Sequence, residues 1–398
     1  MPTASSLYSP GLEGVIAAQT AISSVDGEKG QLVIRGFNVE DLAPHATFED
    51  VVFLLWRDVL PDAEAVKRFG AELAAHRRLD RHTLELLKAA ATRGVDPMDA
   101  LRMGCASLTR NVGRVPVAVR RETAPRQEAL RLVAAVPVIV ATYHRLSRGL
   151  EPIPPRTDLN QTANFLYMLR GREAPSAFVR ALDTYWNTVA EHGLNASTFT
   201  ARVIVSTGSD VLSAVTGAVG ALKGPLHGGA PGPALDLVFE IGSAEHAERV
   251  LRQKLDRGER LMGFGHRVYR RRDPRADVLG AAVEQLFERG GDRHVYELAR
   301  AVEACALRLL AEYKPTRPLP TNVEFYTALL LHGIEFPTSL FTPAFAAARV
   351  AGWTAHCLEQ IASNRLFRPQ STYIGARNRT VESRHSGDEV RPIYDRDR

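Results

Sequence analysis

Residues Leu261–Arg275 read LMGFGHRVYRRRDPR. Gly263 and Gly265 flank Phe264, and His266 follows. Arg267, Arg270, Arg271, Arg272 and Arg275 come within the next ten residues, interrupted by Asp273 and Pro274. Glycine permits close backbone approach to a ligand. A titratable imidazole can polarise a carbonyl or move a proton. Guanidinium forks grip carboxylate or phosphate. Together these residue types describe a site for an anionic small molecule. A solvated basic loop has the same composition, so the rest of the chain has to decide between them.

Working outward, the chain of 398 residues is long for one core, and two domains or one bilobed body are expected. An apolar content of 45% and a charged content of 24% are ordinary globular values, which excludes wholesale disorder. The formal charge is only +5 and the acids are interspersed with the bases. Aromatic residues are not interleaved among the 267–275 arginines. Nucleic acid is therefore not an expected partner. Cys105, Cys305 and Cys357 are odd in number and far apart, which argues against a disulfide framework or a zinc set and fits a reducing cytoplasm. The first residues, MPTASSLYSPGLEG, lack a basic and then apolar leader. The strongest apolar run, Leu132–Tyr143, is too short to span a bilayer, so no membrane partner is expected.

Ala17–Ile22 and Gln31–Ile34 are predicted to form a small hairpin closed by Asp26-Gly27 and Gly30. From Thr47 onward the apolar spacing is helical, and Thr47-x-x-Asp50 resembles a helix start. Further helices are predicted over 62–76, 81–92, 97–110, 126–147, 158–169, 175–191, 197–206 and 209–222. After the loop Lys223–Pro233, KGPLHGGAPGP, they resume over 233–242, 245–255, 275–288, 294–313, 322–333 and 339–363. Four glycines and three prolines in that loop make it a candidate ligand loop or hinge. The body is thus predicted to be all-α, built from many packed helices.

Three histidines stand where helices meet loops: His192, His227 and His266. Arg349, Trp353 and His356 share one face of an alanine-rich helix, and Arg368 follows it. Thr321 and Glu324 have capping-box spacing, and on spacing alone that reading is favoured over catalysis. Nucleophile-elbow, Walker and dinucleotide motifs are absent; Gly263-x-Gly265 does not complete the last.

Several segments in order resemble the citrate synthase family: GLEGVIAAQTAISSVDGEKGQLVIRG, HGLNASTFTARV, LKGPLHGGA, MGFGHRVYRRRDPR, NVEFYTALL, LFTPAFAAARVAGWTAHCLEQ and RPQSTYIG, over about residues 10–376. The resemblance implies a multi-helical homodimer, with higher oligomers left open. Each chain would have a large domain (1–226 and 333–375), a small domain (227–332) and a charged tail (376–398). It implies condensation of acetyl-CoA with oxaloacetate and water to citrate and CoA, without a metal or other cofactor. By resemblance, His227 holds the thioester carbonyl, His266 polarises the oxaloacetate carbonyl, and Glu324 removes the methyl proton. His192, Arg275, Arg349 and Arg368 bind the oxaloacetate carboxylates, with Arg368 reaching over from a partner subunit. Backbone around Leu261, Gly263, Phe264 and Gly265, with the side chain of Arg270, contacts CoA.

The chain departs from the family in three places. Glu324 stands where the family usually has Asp, Pro231-Gly232 follow HGGA, and Gln370 replaces a common arginine. One added methylene moves a carboxylate by about 1.5 Å, and a misplacement on the order of 1 Å can cost about a hundredfold in rate. Two alternatives stay open at this point. One is 2-methylcitrate synthase, which takes propionyl-CoA. The other is a homologue that binds oxaloacetate and CoA without turnover.

Overall fold

Helices form where the apolar spacing and the start signals agree. The structure is a computed structural model that describes residues 8–108, 117–228, 231–266, 268–269, 272–288 and 293–377. It opens with a three-stranded antiparallel sheet, β1 (Ser23–Asp26), β2 (Gln31–Ile34) and β3 (Phe37–Asn38). Ten helices follow: α1 (Val39–Leu42), α2 (Phe48–Arg57), α3 (Ala63–Ala75), α4 (Arg81–Thr92), α5 (Pro97–Ser107), α6 (Val117–Ser147), α7 (Gln161–Arg170), α8 (Ser176–Val189), α9 (Ala196–Ser206) and α10 (Val211–Leu222). Then come α11 (Pro231–Ile241), α12 (Ala247–Asp256), α13 (Pro274–Glu288), α14 (Arg293–Tyr313), α15 (Val323–Gly333) and α16 (Phe341–Ala362). The all-α prediction holds, with the sheet confined to the N-terminal segment.

The Thr47–Asp50 start is a full capping box: the Asp50 N–H donates to Thr47 Oγ1, and the Thr47 N–H donates back to Asp50 Oδ2. Asp62, Asp80, Asp96 and Asp210 cap α3, α4, α5 and α10 in the simpler way.

Three expectations need correction. The first strand is Ser23–Asp26, not Ala17–Ile22. The Asp26 carboxylate accepts the Glu28 and Lys29 N–H groups and closes a four-residue turn, which fixes Asp26 opposite Gln31 and Ser23 opposite Ile34. The glycine- and proline-rich loop is shorter than Lys223–Pro233, because Pro231 begins α11, a position where a missing N–H costs nothing. The helix predicted over 126–147 starts at Val117 and runs through Pro125 and Pro137.

Helix α6 also contains a stretch, Ala124–Ser147, long and apolar enough to cross a membrane by length and composition, which the shorter run Leu132–Tyr143 did not reveal. Most of it is buried, with α4, α5, α7 and α16 packed around it. Phe48, Phe165 and Trp186 pack ring to ring nearby, with centroids 4.9 and 5.3 Å apart. Helices α11–α15 pack largely on one another and meet the rest through α13 on α8 and α1. The charged tail is described only as far as Arg377.

Pro137 shows how the core tolerates a break in its own central helix. Proline has no N–H, so the Val133 carbonyl four residues earlier loses its helical donor. Gln161, fully buried at the start of α7, supplies one: its Nε2 donates to Val133 O at 3.1 Å and to Ala134 O at 3.0 Å. Its Oε1 accepts from buried Arg77 Nε at 2.9 Å, and its own N–H donates to Glu49 at 2.7 Å. Replacing Gln161 by Leu leaves a carbonyl and a guanidinium N–H unpaired in the core, and a loss of about 3 kcal/mol in urea denaturation is expected. Pro137→Ala restores the missing N–H. Its effect should be more favourable in the Gln161→Leu background than in the parent, by about 1 kcal/mol. Strict additivity of the two changes would show that Gln161 does not serve the Pro137 gap.

Candidate active site

The site is assembled from five chain segments, the last of them α16, which carries Arg349. The first is the turn after α8. Asn195 caps α9 by accepting the Thr198 N–H, and this sharp entry leaves His192 on the turn facing inward. His192 Nε2 lies 3.1 Å from the Tyr269 hydroxyl, and its ring lies 5.7 Å from that of His266. Burial, then the charges of Arg275 and Arg349, hold its pKa well below the ordinary histidine value.

The second segment is the one that opened the sequence reading. Gly263 and Gly265 have φ of 90° and 80°, a left-handed backbone that glycine adopts at no steric cost. Between them Phe264 bridges Thr321: the Gly265 N–H donates to Pro320 O at 2.7 Å, and the Asn322 N–H donates to Gly263 O at 3.0 Å. Leu261 is in the core, so only its backbone can meet a ligand. His266 comes next. Its Nδ1 accepts two main-chain N–H groups, from Val268 at 3.0 Å and Tyr269 at 3.1 Å. A nitrogen that accepts carries no proton, so the neutral ring has its proton on Nε2. Arg275 Nη2 lies 3.4 Å from that Nε2. Two donors side by side must share an acceptor, and a ligand oxygen would fill that role. Burial, aided by Arg275, depresses the His266 pKa to about 4. Arg275 is itself buried and held by Asp273 through its Nε at 3.0 Å and Nη2 at 2.8 Å, which keeps it charged against the cost of burial.

The third segment carries His227. Its Nε2 accepts the Ser197 N–H at 3.3 Å and lies 2.8 Å from Ser197 Oγ, so its proton sits on Nδ1. Ser197 Oγ in turn accepts from Trp353 Nε1 at 3.0 Å. Burial and then Arg349 lower the His227 pKa to about 4. The two histidines thus present opposite nitrogens as donors, each fixed by main-chain groups.

The fourth is the start of α15, where the capping-box reading of Thr321 and Glu324 is overturned. The cap is Asn322, whose Oδ1 accepts the Glu324 N–H at 3.0 Å, while Thr321 Oγ1 donates to buried Glu303 at 2.6 Å. The Glu324 carboxylate is therefore not used to cap the helix, and it makes no hydrogen bond among the described residues. Packed protein around it raises its pKa to about 7; Asp273 adds to this, and Arg275 and Arg349 oppose it.

Arg349 is 2% exposed in α16. Its Nε donates to Val189 O at 2.6 Å, which leaves the two terminal nitrogens for an anion. Burial lowers its pKa to about 10 despite the nearby Glu191 carboxylate, so it stays charged at neutral pH. Arg368 is not brought to this cluster within one chain: it lies on an exposed extended segment and touches only the Pro369 carbonyl. Arg270 lies outside the described residues, as do Arg267 and Arg271. Arg272 is not idle surface, because it is half-buried and pairs with Asp277 and Glu303. Among the described residues no three His, Cys, Asp or Glu side chains gather as a metal-ligand set.

Reasoning from sequence missed Tyr269, Ser197, Glu191 and Asn322. Tyr269 and Ser197 work through the histidines they touch, and no spacing rule marks them. Glu191 is visible only through His356, whose Nε2 lies 3.0 Å from it in full burial.

The sequence model described as citrate synthase, C-terminal domain, matches residues 11–370. A citrate synthase of Haloferax volcanii is 41% identical over 370 residues, covering 92% of this chain and 96% of that protein. A 2-methylcitrate synthase of Mycobacterium tuberculosis is also 41% identical, over 374 residues, covering 93% and 91%. The crystal structure of a Thermoplasma acidophilum citrate synthase with carboxymethyl coenzyme A and oxaloacetate matches with a TM-score of 0.84 and 28% identity, covering 94% of this chain and 97% of that one.

The raised pKa of Glu324 makes a sign-definite prediction. Between its ordinary value of 4.5 and about 7 the folded protein binds more protons at this group than the unfolded chain does. Its contribution to stability therefore falls as pH rises through that window. Glu324→Gln should raise the denaturation free energy by on the order of 2 kcal/mol at pH 8 and by much less at pH 5. An equal gain at both values would place the folded pKa at its ordinary position.

Proposed function

The chain belongs to the citrate synthase family, and from that premise we propose how its residues condense acetyl-CoA with oxaloacetate and water to give citrate and CoA. The observation that carries the reading is the convergence of two oppositely oriented N–H donors and one raised-pKa carboxylate on a wall of buried arginines. Oxaloacetate is a dianion with a ketone. Arg275, Arg349 and His192 hold its carboxylates, and His266 Nε2–H points at the ketone oxygen. The thioester carbonyl of acetyl-CoA takes His227 Nδ1–H. Glu324 then removes a methyl proton, which is feasible because the enol oxygen has a preorganised donor. The enol carbon attacks the ketone carbon, His266 Nε2–H gives its proton to the alkoxide, and the ring is reprotonated with the proton taken up by Glu324, passed through solvent. Water cleaves the citryl thioester, releasing CoA. No step draws on a metal or other cofactor, since the electrophiles are activated by N–H groups.

The segment 261–265 and Arg270 are the proposed CoA contacts. The proposed domains, 227–332 against 1–226 and 333–375, would close to exclude water. The exposed segment around Arg368, with exposed Leu366, Tyr373 and Ile374, supports a homodimer in which Arg368 enters the partner's site. The setting proposed is the cytoplasm.

The relatives of equal identity name two acyl chains, so the acyl preference is a matter for assay. Purified protein should release CoA from acetyl-CoA only when oxaloacetate is present, with a larger kcat/KM than for propionyl-CoA. A larger value for propionyl-CoA would make the chain a 2-methylcitrate synthase. Oxaloacetate binding without CoA release would make it a non-catalytic homologue. Glu324→Gln should lower kcat by at least about a hundredfold with the fold intact, and retained turnover would remove Glu324 as the base.

A further inference from the structure

The N-terminal hairpin touches two of the three histidine-bearing turns, those of His192 and His266, and no step above uses it. Ser23 opens β1. Its Oγ accepts the Gly193 N–H at 3.2 Å and donates to Glu191 Oε1 at 2.8 Å, so it grips the residues on either side of His192. At the far end of the strand Gly27 begins the turn into β2. It lies so close to Val268 that a Cβ there would fall 2.2 Å from the Val268 carbonyl oxygen and 2.9 Å from its carbonyl carbon. Val268 and Tyr269 are the two residues whose N–H groups fix His266 Nδ1. One short strand therefore spans the turn at His192 and the turn at His266, which are more than seventy residues apart in sequence.

The anchoring of the hairpin is separate from these contacts. Ile22, Leu32 and Ile34 are fully buried and hold the strands to the core, whereas Ser23 and Gly27 are only part-buried and face the turns. A four-residue strand paired along its length is stiff, and it spans about 13 Å. We propose that the β1–β2 hairpin is a positioning element for two of the substrate-facing histidines, His192 and His266, with Ser23 setting the His192 turn and Gly27 setting the His266 turn. The functional part rests on the condensation reaction proposed above. Because the contact at Gly27 is with main chain, a side chain there cannot be accommodated by a rotamer change. The 266–269 turn has to move, and the two N–H groups leave Nδ1. The imidazole then loses the constraint that keeps its proton on Nε2, and the oxaloacetate ketone loses its aligned donor.

The test uses the full chain with Gly27→Ala and Ser23→Ala, and with Lys29→Ala in the same turn as control. Ring-nitrogen NMR of the free protein should show a single Nε2–H tautomer for His266 in the parent and the control, and a mixture in Gly27→Ala. Its kcat/KM for oxaloacetate should fall about ten- to a hundredfold, with KM for acetyl-CoA within about twofold and the thermal midpoint nearly unchanged. The acid limb of its pH profile should move up, because a neutral ring without its two donors protonates more easily. Ser23→Ala should raise KM for oxaloacetate by several-fold, and Ser23→Thr, which keeps the hydroxyl, should restore it. A parental His266 tautomer with parental KM in Gly27→Ala overturns the proposal. So does a uniform loss in every parameter that tracks a lowered thermal midpoint in both alanine variants. Should the parent release no CoA, the reaction is what fails, and the NMR comparison still decides what the hairpin does.

Discussion

Two guanidinium groups buried on one cleft wall set the terms for everything near them. Arg275 and Arg349 are 4% and 2% exposed, and each brings a carboxylate with it: Asp273 grips the first, and Glu191 lies beside the second. Uncompensated, either charge would cost several kcal/mol to bury. Burial first, and then these guanidinium charges, lower the pKa values of His192, His227 and His266. A neutral imidazole is a donor on one nitrogen and an acceptor on the other. The choice between them then falls to the backbone, which takes Nδ1 on His266 and Nε2 on His227. Two neutral donors and two fixed cations suit a substrate that brings two negative charges and a polarisable carbonyl.

Glu191 needs support of its own. His356 lies against it, Arg202 Nη1 lies 3.0 Å from His356 Nδ1, and Arg202 is paired with Glu359 at 2.6 Å. Glu359 also accepts the Ala21 N–H. The contacts run from Glu191 through His356, Arg202 and Glu359 to the N-terminal segment, and Arg349 feels the near end of this chain through the Glu191 charge.

Much of this was legible in the sequence. Helix order followed from apolar spacing, and α4 fell on the expected residues. The hairpin strand slipped because turn length, set by an Asp26 side chain, decides register, and alternation in Ala17–Ile22 does not. The helix expected from 126 was cut short because local rules treat Pro125 as a boundary, while Pro137, which lies inside the expected helix, leaves a gap that Gln161 repairs from a distant segment. In the site, the histidines and arginines were visible because imidazole and guanidinium carry the chemistry. Their supports were not, since Ser197, Tyr269 and Asn322 act through geometry that no spacing encodes. The capping-box motif at Thr321 misled for the same reason: Asn322 competes for the cap, and Thr321 is drawn away to Glu303.

Asn322 also bears on why a longer carboxylate can stand at residue 324. It caps α15, its N–H pairs with Gly263, and its Nδ2 donates to Gly265 O at 2.8 Å. Glu303 holds neighbouring Thr321 and reaches Arg272 and Tyr326, so the same strip is anchored from behind. The backbone at Glu324 and the backbone leading into His266 are thereby one piece. The separation between the start of α15 and the turn into His266 is set by main-chain pairing, and the added methylene of Glu324 cannot be absorbed by letting α15 slide back. A carboxylate whose pKa is raised to about 7 is a stronger base than an ordinary one and is about half ionised near neutrality. That basicity follows from holding the side chain in packed protein at the start of a helix whose cap is supplied by its neighbour, so that no N–H lowers its pKa.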